Sequence, residues 1–414
     1  MSTQETILIT GGAGFLGHHI VTALHSAHPT WPLTVLDVLP ASAYDPPFSS
    51  SFITYIQADI TNAATLTNAF QTTRPTIVVH TAGFVPKGNT RYTTLLREQC
   101  RAVNVEGTRN MLSAAKSVGV KAFVYTSSIT TITDDLSQDH PNMNETRPPS
   151  SFANPAGTLI YGSSKAEAEA LVLSANDPGK DFLTTALRPS VLLGPGDENL
   201  LPHIHACIAA RETPFQIGPG TNLYDFTYAP NVADAHVLAI ENLLTVSPVS
   251  GIGETDEKPS DVGAEEKGDE GQIESAAGQT FFITNASPIP FRAFMLAVWA
   301  QFGHYPPYTV QVPQPLAWMA GLSAEWTRWA REALSWARGD KGAIDRIAWE
   351  EGATLSRGSV KDCCQCAYAD GGKARRVLGY VPRVGLEEAL RISCEDLKER
   401  LARRGLGEDR KKEV

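Results

Sequence analysis

Positive charge, long apolar runs and cysteine are all scarce in this chain, and each shortage removes a class of function. Lysine and arginine number 35 against 45 aspartates and glutamates, a net charge of -10 over 414 residues. A surface built to hold nucleic acid is therefore not expected. No run of 18 apolar residues occurs, so a plain membrane span is not expected. Ile7-Leu8-Ile9-Thr10 is too short for the apolar core of a signal peptide and runs straight into glycines. The six cysteines, Cys100, Cys207, Cys363, Cys364, Cys366 and Cys394, make no disulfide framework for a chain of this length. Only Cys363-Cys364-Gln365-Cys366 is clustered, and no second ligand pair follows at workable spacing, so no metal site is expected. These three read as reduced thiols in a strand and the loop before it, on the cytosol-facing side of a compartment.

What is present is an ordinary globular composition, 42% hydrophobic and 19% charged, long enough for a large core. The acidity is local. Between Gly251 and Ser275 nine acids face two bases, so this stretch carries -7 of the net charge. Residues 247–279 read as an acidic disordered insertion, poor in aromatics.

Short apolar runs alternate with helical stretches through the first 190 residues. Strands are expected at 6–10, 33–37, 52–57, 76–80, 122–126 and 183–187, apolar almost throughout as buried parallel strands are. Helices are expected at 15–26, 62–70, 91–118 and 159–174. This alternation predicts an α/β fold, a doubly wound parallel Rossmann sheet with a smaller C-terminal α/β substrate region. The expected division is 1–198 for the dinucleotide-binding domain. Residues 199–246 and 280–400 form the substrate region, with strands and helices returning to the first core, and 401–414 form a charged tail.

The first expected strand ends in Gly11-Gly12-Ala13-Gly14-Phe15-Leu16-Gly17 and a helix follows. Glycines spaced three apart let the backbone approach a pyrophosphate, and the helix N-terminus presents free N–H groups to it. Asp37 ends the second strand 20 residues after Gly17. A carboxylate there accepts from a ribose and repels a 2′-phosphate, so NAD is expected, with NADP left open.

Tyr161 and Lys165 lie one helical turn apart on one face. A tyrosine near its ordinary pKa of about 10 is a poor base at neutral pH. A neighbouring ammonium and a nicotinamide cation favour its phenolate, which can take the proton of an alcohol as hydride leaves the carbon. Tyr125-Thr126-Ser127-Ser128 ends the fifth strand, and a serine there can orient the reacting oxygen. Ser128 is the first choice and Ser127 the second.

Thr10 to Gly17, His80-Thr81-Ala82-Gly83, Asn104-Val105-Glu106-Gly107-Thr108, Ser127-Ser128 and Tyr161-Gly162-Ser163-Ser164-Lys165 resemble the extended short-chain dehydrogenases/reductases. Leu187-Arg188-Pro189, Gly194-Pro195-Gly196-Asp197, Asp225-Phe226-Thr227-Tyr228, Asn231 to His236, Phe281 to Asn285 and Pro288 to Phe291 resemble the 3β-hydroxysteroid dehydrogenase branch, within it the decarboxylating sterol-4α-carboxylate 3-dehydrogenases. Lys373-Ala374 and Leu378-Gly379-Tyr380 also fit. The resemblance implies oxidation of the 3β-hydroxyl of a 4α-carboxysterol, giving a β-keto acid that loses CO₂. It implies Tyr161 as proton acceptor, Lys165 as the group that lowers its pKa and holds the nicotinamide ribose, and Ser128 as the group that positions the alcohol. It implies Asp59 and Ile60 near adenine, Ala82 and Gly83 near ribose and phosphates, Asn104 as a support from its helix, and Arg188-Pro189 beside the nicotinamide. Tyr228-Ala229-Pro230 departs from the family pattern at the proline.

A sterol dissolves in membranes, so a membrane contact is expected. Trp318, Leu322, Trp326, Trp329, Ala333 and Trp336 follow spacings of 4, 4, 3, 4 and 3 on one helical face through 315–338, and Trp349 lies just beyond. Glu325, Arg328, Arg331 and Glu332 interrupt a spanning reading, whereas tryptophan favours the headgroup boundary. This face is expected either to lie on a membrane or to pack into the protein. Lys411-Lys412-Glu413-Val414 resembles a dilysine retrieval tail of the endoplasmic reticulum, and a solvated basic tail reads equally. A peripheral place on the cytosolic face of that membrane is expected, with a cytoplasmic enzyme as the alternative. The oligomeric state stays open, a homodimer included. Three other activities compete: a triterpenoid 3β-alcohol dehydrogenase without CO₂ loss, a nucleotide-sugar epimerase, and a non-catalytic NAD(H)-binding regulator. The tryptophans argue against a soluble sugar nucleotide, and the retained Tyr161, Lys165 and Ser128 against a regulator.

Overall fold

Seven short apolar segments pair side by side and in parallel. They are β1 (Ile7–Thr10), β2 (Leu33–Asp37), β3 (Ile53–Gln57), β4 (Ile77–His80), β5 (Ala122–Thr126), β6 (Leu183–Pro189) and β7 (Thr280–Ile283). Their order across the sheet is β7-β6-β5-β4-β1-β2-β3. The computed structural model of the chain describes residues 4–43, 53–154, 157–245, 274–339 and 355–412. The greater part of the acidic insertion, Trp349 and the side chains of 404–414 lie outside these residues.

The inner strands are buried on both faces because helices cover both, whereas the edge strand β3 leaves Thr54 and Gln57 exposed. Ile7, Ile9, Val35, Ile77, Val79 and Val124 point into one core, closed by α1 (Phe15–Ala27) and the later helix Ala229–Thr245. Leu8, Leu36, Val78, Phe123 and Tyr125 alternate into the other. That second core is closed by α2 (Ala63–Thr73), α3 (Thr108–Val118) and α4 (Ile160–Ser174). Gly119 and Arg74, both left-handed, end α3 and α2.

A boundary at residue 198 divides the chain but not the core. The strand β7, which follows the acidic insertion, pairs in parallel with β6, Phe281 against Leu187. The remaining core gathers α5 (Leu200–Ala209), α7 (Phe291–Gln301) and the start of α10 (Leu386–Lys412) around stacked Phe226 and Phe294, whose centroids are 3.6 Å apart, while α6 (Ala229–Thr245) is the later helix of the first core and α8 (Gln314–Ala337) packs on α9 (Arg357–Cys364). A small second sheet joins Ile289–Pro290, Leu223–Tyr224, Ala367–Ala369 and His140–Met143. It carries the C-terminal segments back over the edge where the main strands end.

Two expected elements differ. The helix expected over 91–118 is broken into a 3-10 turn (Gly88–Tyr92), a helical turn (Arg97–Cys100), a π-helical segment (Arg101–Gly107) and α3. Thr93 is extended, with φ -117° and ψ 171°, and separates the first two. Cys363 and Cys364 end the helix α9 rather than occupying a strand or loop, because Ser356 and Ser359 cap it with reciprocal hydrogen bonds. All six cysteines are free, and the described residues hold no cluster arranged for a metal.

Helix α4 is fixed to the sheet by a buried ion pair. Arg188 Nη2 and Nε donate to Glu169 at 2.5 and 2.9 Å, and the Ser127 hydroxyl donates to the same carboxylate at 2.6 Å. Both charges are almost wholly buried. Glu169→Gln should destabilise the chain by roughly 3–5 kcal/mol, because it strands the Arg188 charge. Urea unfolding measures this, and a loss below 1 kcal/mol would refute it.

Candidate active site

The glycine turn is held from below. Thr10 leaves β1, and Gly11 N–H donates to the Leu36 carbonyl at 2.9 Å. Gly11 has φ +68°, and a Cβ on it would stand 2.7 Å from the Ala82 backbone. A Cβ on Gly17 would stand 2.0 Å from the Gly11 carbonyl oxygen. Gly14 caps α1 without any side-chain bond. The turn therefore closes against β4 and α1 while the first N–H groups of the helix stay uncapped by side chains, the cradle that a pyrophosphate needs. Gly12 packs on Val35, Leu16 is buried in the core, and Phe15 lies beneath Gly194 and Gly196.

Asp37 ends β2 directly under this turn. Its Oδ2 accepts from Ala13 N–H at 2.9 Å and its Oδ1 from Leu39 N–H at 3.1 Å. The carboxylate thus holds the glycine turn in shape, and burial raises its pKa despite the backbone donors. Asp59 is exposed and turns the chain through Thr61 N–H at 2.8 Å. Ile60 is buried against Gly107.

The loop after β4 is clamped by Asn104. Asn104 Oδ1 accepts from Phe84 N–H at 2.7 Å, and its Nδ2 donates to the Phe84 carbonyl at 3.0 Å and to Ser164 Oγ at 2.9 Å. The π-helical turn around Asn104 aims it across this gap. A Cβ on Gly83 would lie 3.3 Å from Asn104 Oδ1 and 3.8 Å from Lys165 Nζ. Ala82, Gly83, Asn104 and Lys165 thus meet at one point. Buried His80 bonds Thr10 and Thr108 at 2.7 and 2.9 Å, which ties the glycine turn to the same helix.

Tyr161 and Lys165 start α4, both buried, with Lys165 only 4% exposed. The ammonium donates to the Thr126 carbonyl at 2.6 Å and lies 4.4 Å from the Tyr125 ring centroid. Burial drives its pKa down to about 7, with Glu169 opposing. Burial drives Tyr161 up to about 12. Arg91 and a hydrogen bond with Ser128 pull that phenol down, while Asp134 and Cys100 push it up. Ser128 Oγ also accepts from the Thr130 hydroxyl at 2.8 Å. Ser127 faces elsewhere: it is buried, and its hydroxyl is taken by Glu169. The hydroxyl that meets the phenol is that of Ser128, while that of Ser127 is engaged with the carboxylate. Pro189 ends β6, and its carbonyl accepts from Ile129 N–H at 3.0 Å.

Three charged residues absent from the sequence reading stand here. Arg91 pairs with buried Asp134 at 2.5 Å, and Asp134 Oδ2 accepts from Gly162 N–H at 2.7 Å. Asp362, on α9, accepts from the Tyr92 hydroxyl at 2.7 Å and lies 4.0 Å from Arg91 Nε. No spacing in the sequence links residues 91, 134 and 362. Glu169, four residues after Lys165 on the same face, was within reach of the same helical argument that paired Tyr161 with Lys165.

The buried lysine makes stability depend on pH. Its folded pKa of about 7 lies below its ordinary 10.5, so between these values the unfolded chain binds more protons and stability rises with pH. Lys165→Met should remove a rise of up to about 1.4 kcal/mol per pH unit across that window. Urea midpoints of both proteins, without cofactor, at pH 7.5 and 9.5 test it. Parallel pH dependences would refute it.

The 3-beta hydroxysteroid dehydrogenase/isomerase family model matches residues 8–314. The chain is 34% identical over 393 residues to the decarboxylating sterol-4-alpha-carboxylate 3-dehydrogenase of Saccharomyces cerevisiae, covering 94% of this chain and 97% of that one. It is 33% identical over 401 residues to the enzyme of the same name in Candida albicans, covering 96% and 99%. Among solved structures it is similar in fold to UDP-glucose 4-epimerase of Thermus thermophilus, solved as a complex with NAD. The TM-score is 0.60 at 20% identity, over 95% of this chain and 99% of that one.

Proposed function

The chain belongs to the 3-beta hydroxysteroid dehydrogenase/isomerase family, and from that premise we propose that it oxidises the 3β-hydroxyl of a 4α-carboxysterol to the 3-ketone with NAD, with loss of CO₂, in sterol biosynthesis. The carrying observation is that Tyr161, Ser128 and Lys165 stand beside a dinucleotide cradle in a chain whose relatives, matched nearly end to end, bear that activity in their names. The likeness to an epimerase is one of fold at 20% identity and carries no substrate with it.

The residues fit the cofactor. Gly11, Gly14 and the first turn of α1 would hold the pyrophosphate, Asp37 the adenosine side, and Lys165 with Asn104 and Gly83 the nicotinamide side. NAD, when bound, supplies the hydride acceptor and a positive charge near the phenol. Tyr161 takes the proton of the alcohol. Ser128 orients the alcohol through the hydroxyl it shares with Tyr161. The ketone so formed is β to the carboxylate. The C–CO₂ bond breaks as its electrons move into the ketone, leaving an enol after protonation, and no further catalytic group is needed.

A membrane contact follows from the substrate. Helix α8 buries Ala317 and seats Gly321 against the Ser356 backbone. Its other side exposes Trp326, Trp329 and Trp336 at 63%, 63% and 74%, together with Leu316 and Met319. No helix among the described residues is long and apolar enough to cross a membrane. The exposed face supports an interfacial contact with a membrane, and our proposal puts that contact at the cytosolic surface of the endoplasmic reticulum.

Incubation with NAD and a 4α-carboxysterol should yield NADH and CO₂ in equal amounts. NADH without CO₂ would overturn the decarboxylating assignment in favour of a plain 3β-alcohol dehydrogenase. Tyr161→Phe should lower turnover at least 100-fold while NAD still binds, in line with the usual contribution of a general base. Retained turnover would remove Tyr161 from the mechanism. In flotation with phospholipid vesicles, the triple change of Trp326, Trp329 and Trp336 to serine should release the protein. Equal flotation of parent and variant would refute the contact.

A further inference from the structure

We propose that Arg91 is a positioning residue for the oxidation, a second cation that holds Tyr161 toward its phenolate form. The proposal rests on the reading of Tyr161 as the proton acceptor. The Arg91 guanidinium lies over the Tyr161 ring, 5.8 Å from its centroid. At that range a cation interacts with the ring directly, and more strongly once the ring carries negative charge. Lys165 is turned instead to the Thr126 carbonyl and the Tyr125 ring.

The placement of Arg91 is built, not incidental. Asp134 bridges it to the helix that carries the phenol. One carboxylate oxygen pairs with Arg91 at 2.5 Å and the other accepts from Gly162 N–H, the residue after Tyr161, at 2.7 Å. Gly162 has to be glycine for this bridge, since a Cβ would stand 2.3 Å from the Thr130 carbonyl and 2.6 Å from Asp134 Cβ. From the opposite side, Asp362 on α9 lies 4.0 Å from Arg91 Nε and accepts the hydroxyls of Tyr92 and Tyr224 at 2.7 and 3.3 Å. Arg91 Nε is buried without a hydrogen-bond partner among the described residues. The arginine is thus suspended between two carboxylates and over the phenol, with one donor unspent.

The groups around Tyr161 come from several elements, and Tyr125 of β5 is a buried phenol that acts on it electrostatically. Arg91 and Tyr92 come from the turn Gly88–Tyr92, Cys100 from the turn before the π-helical segment, and Ser128 and Asp134 from the segment after β5. Lys165 comes from α4 itself, Tyr224 from the small sheet, and Asp362 from α9. Asp134 opposes Arg91 in its effect on the phenol, and burial holds the Asp134 carboxyl up at about 6 against the pull of Arg91. The two residues should therefore move Tyr161 in opposite directions when neutralised. A purely structural network would have no reason to do so.

The test is the titration of Tyr161 itself, which needs no sterol. The full chain, with tyrosine labelled by carbon-13 at Cζ and NAD added, gives a Tyr161 signal identified by its loss in Tyr161→Phe. Arg91→Gln should raise the midpoint by about one pH unit, roughly tenfold less phenolate at fixed pH. Arg91→Lys should restore most of it. Asp134→Asn, which keeps an oxygen for Gly162 N–H, should lower the midpoint. The limb of the kcat/KM profile that reports Tyr161 should move by the same amounts. A midpoint unmoved in Arg91→Gln, or moved the same way in Asp134→Asn, would overturn the proposal even if both variants melt at lower temperature. Shifts as expected in a chain that makes no NADH from a 4α-carboxysterol would refute the substrate assignment and leave the role of Arg91 standing.

Discussion

Because every strand of the main sheet runs the same way, all of their C-terminal ends emerge along one edge, and the cofactor turn and the phenol are brought together there. The glycine turn follows β1, Asp37 ends β2, Ala82 and Gly83 follow β4, Ser127 and Ser128 follow β5, and Arg188-Pro189 end β6. A parallel sheet requires crossovers, and the crossover helices start at the same edge. That is why the first turns of α1 and α4, which follow Gly14 and carry Tyr161, start at that edge although the two helices cover opposite faces of the sheet.

Burial at this edge works against ionisation. The phenol of Tyr161 is pushed up to about 12 and the amine of Lys165 down to about 7 by the same desolvation. The fold alone therefore favours the neutral forms of both. What counteracts this is a small set of fixed charges and dipoles: Glu169 beneath Lys165, and Arg91 with the Ser128 hydroxyl beside Tyr161. The pair Glu169–Arg188 also shows how little slack there is, since Arg188 Nη1 is buried without a hydrogen-bond partner among the described residues.

The C-terminal half contributes more to the site than its composition suggests. Helix α9 is joined to α8 through Glu325 and Arg357, 2.7 Å apart, and through the Arg357 guanidinium 5.5 Å from the Trp318 ring centroid. The same short helix places Asp362 beside Arg91. One eight-residue segment thus lies between the tryptophan-bearing helix and the residues around the phenol.

The local patterns were legible without a structure. Apolar strands, the glycine turn with Asp37, and the one-turn spacing of Tyr161 and Lys165 each depend on neighbours a few residues apart or on a single repeating unit, so sequence order carries them. Glu169 belonged to that class too, one further turn along the same helix. Tertiary structure alone decided the rest. It separated Ser127 from Ser128 by giving the former to Glu169, and it bent the helix around Asn104 so that its amide reached Phe84. It also brought Arg91, Asp134 and Asp362 together. Buried charges must be paired wherever the chain can supply an opposite charge, and in this fold the partners come from segments 43 and more than 200 residues apart, a distance across which sequence spacing carries no signal.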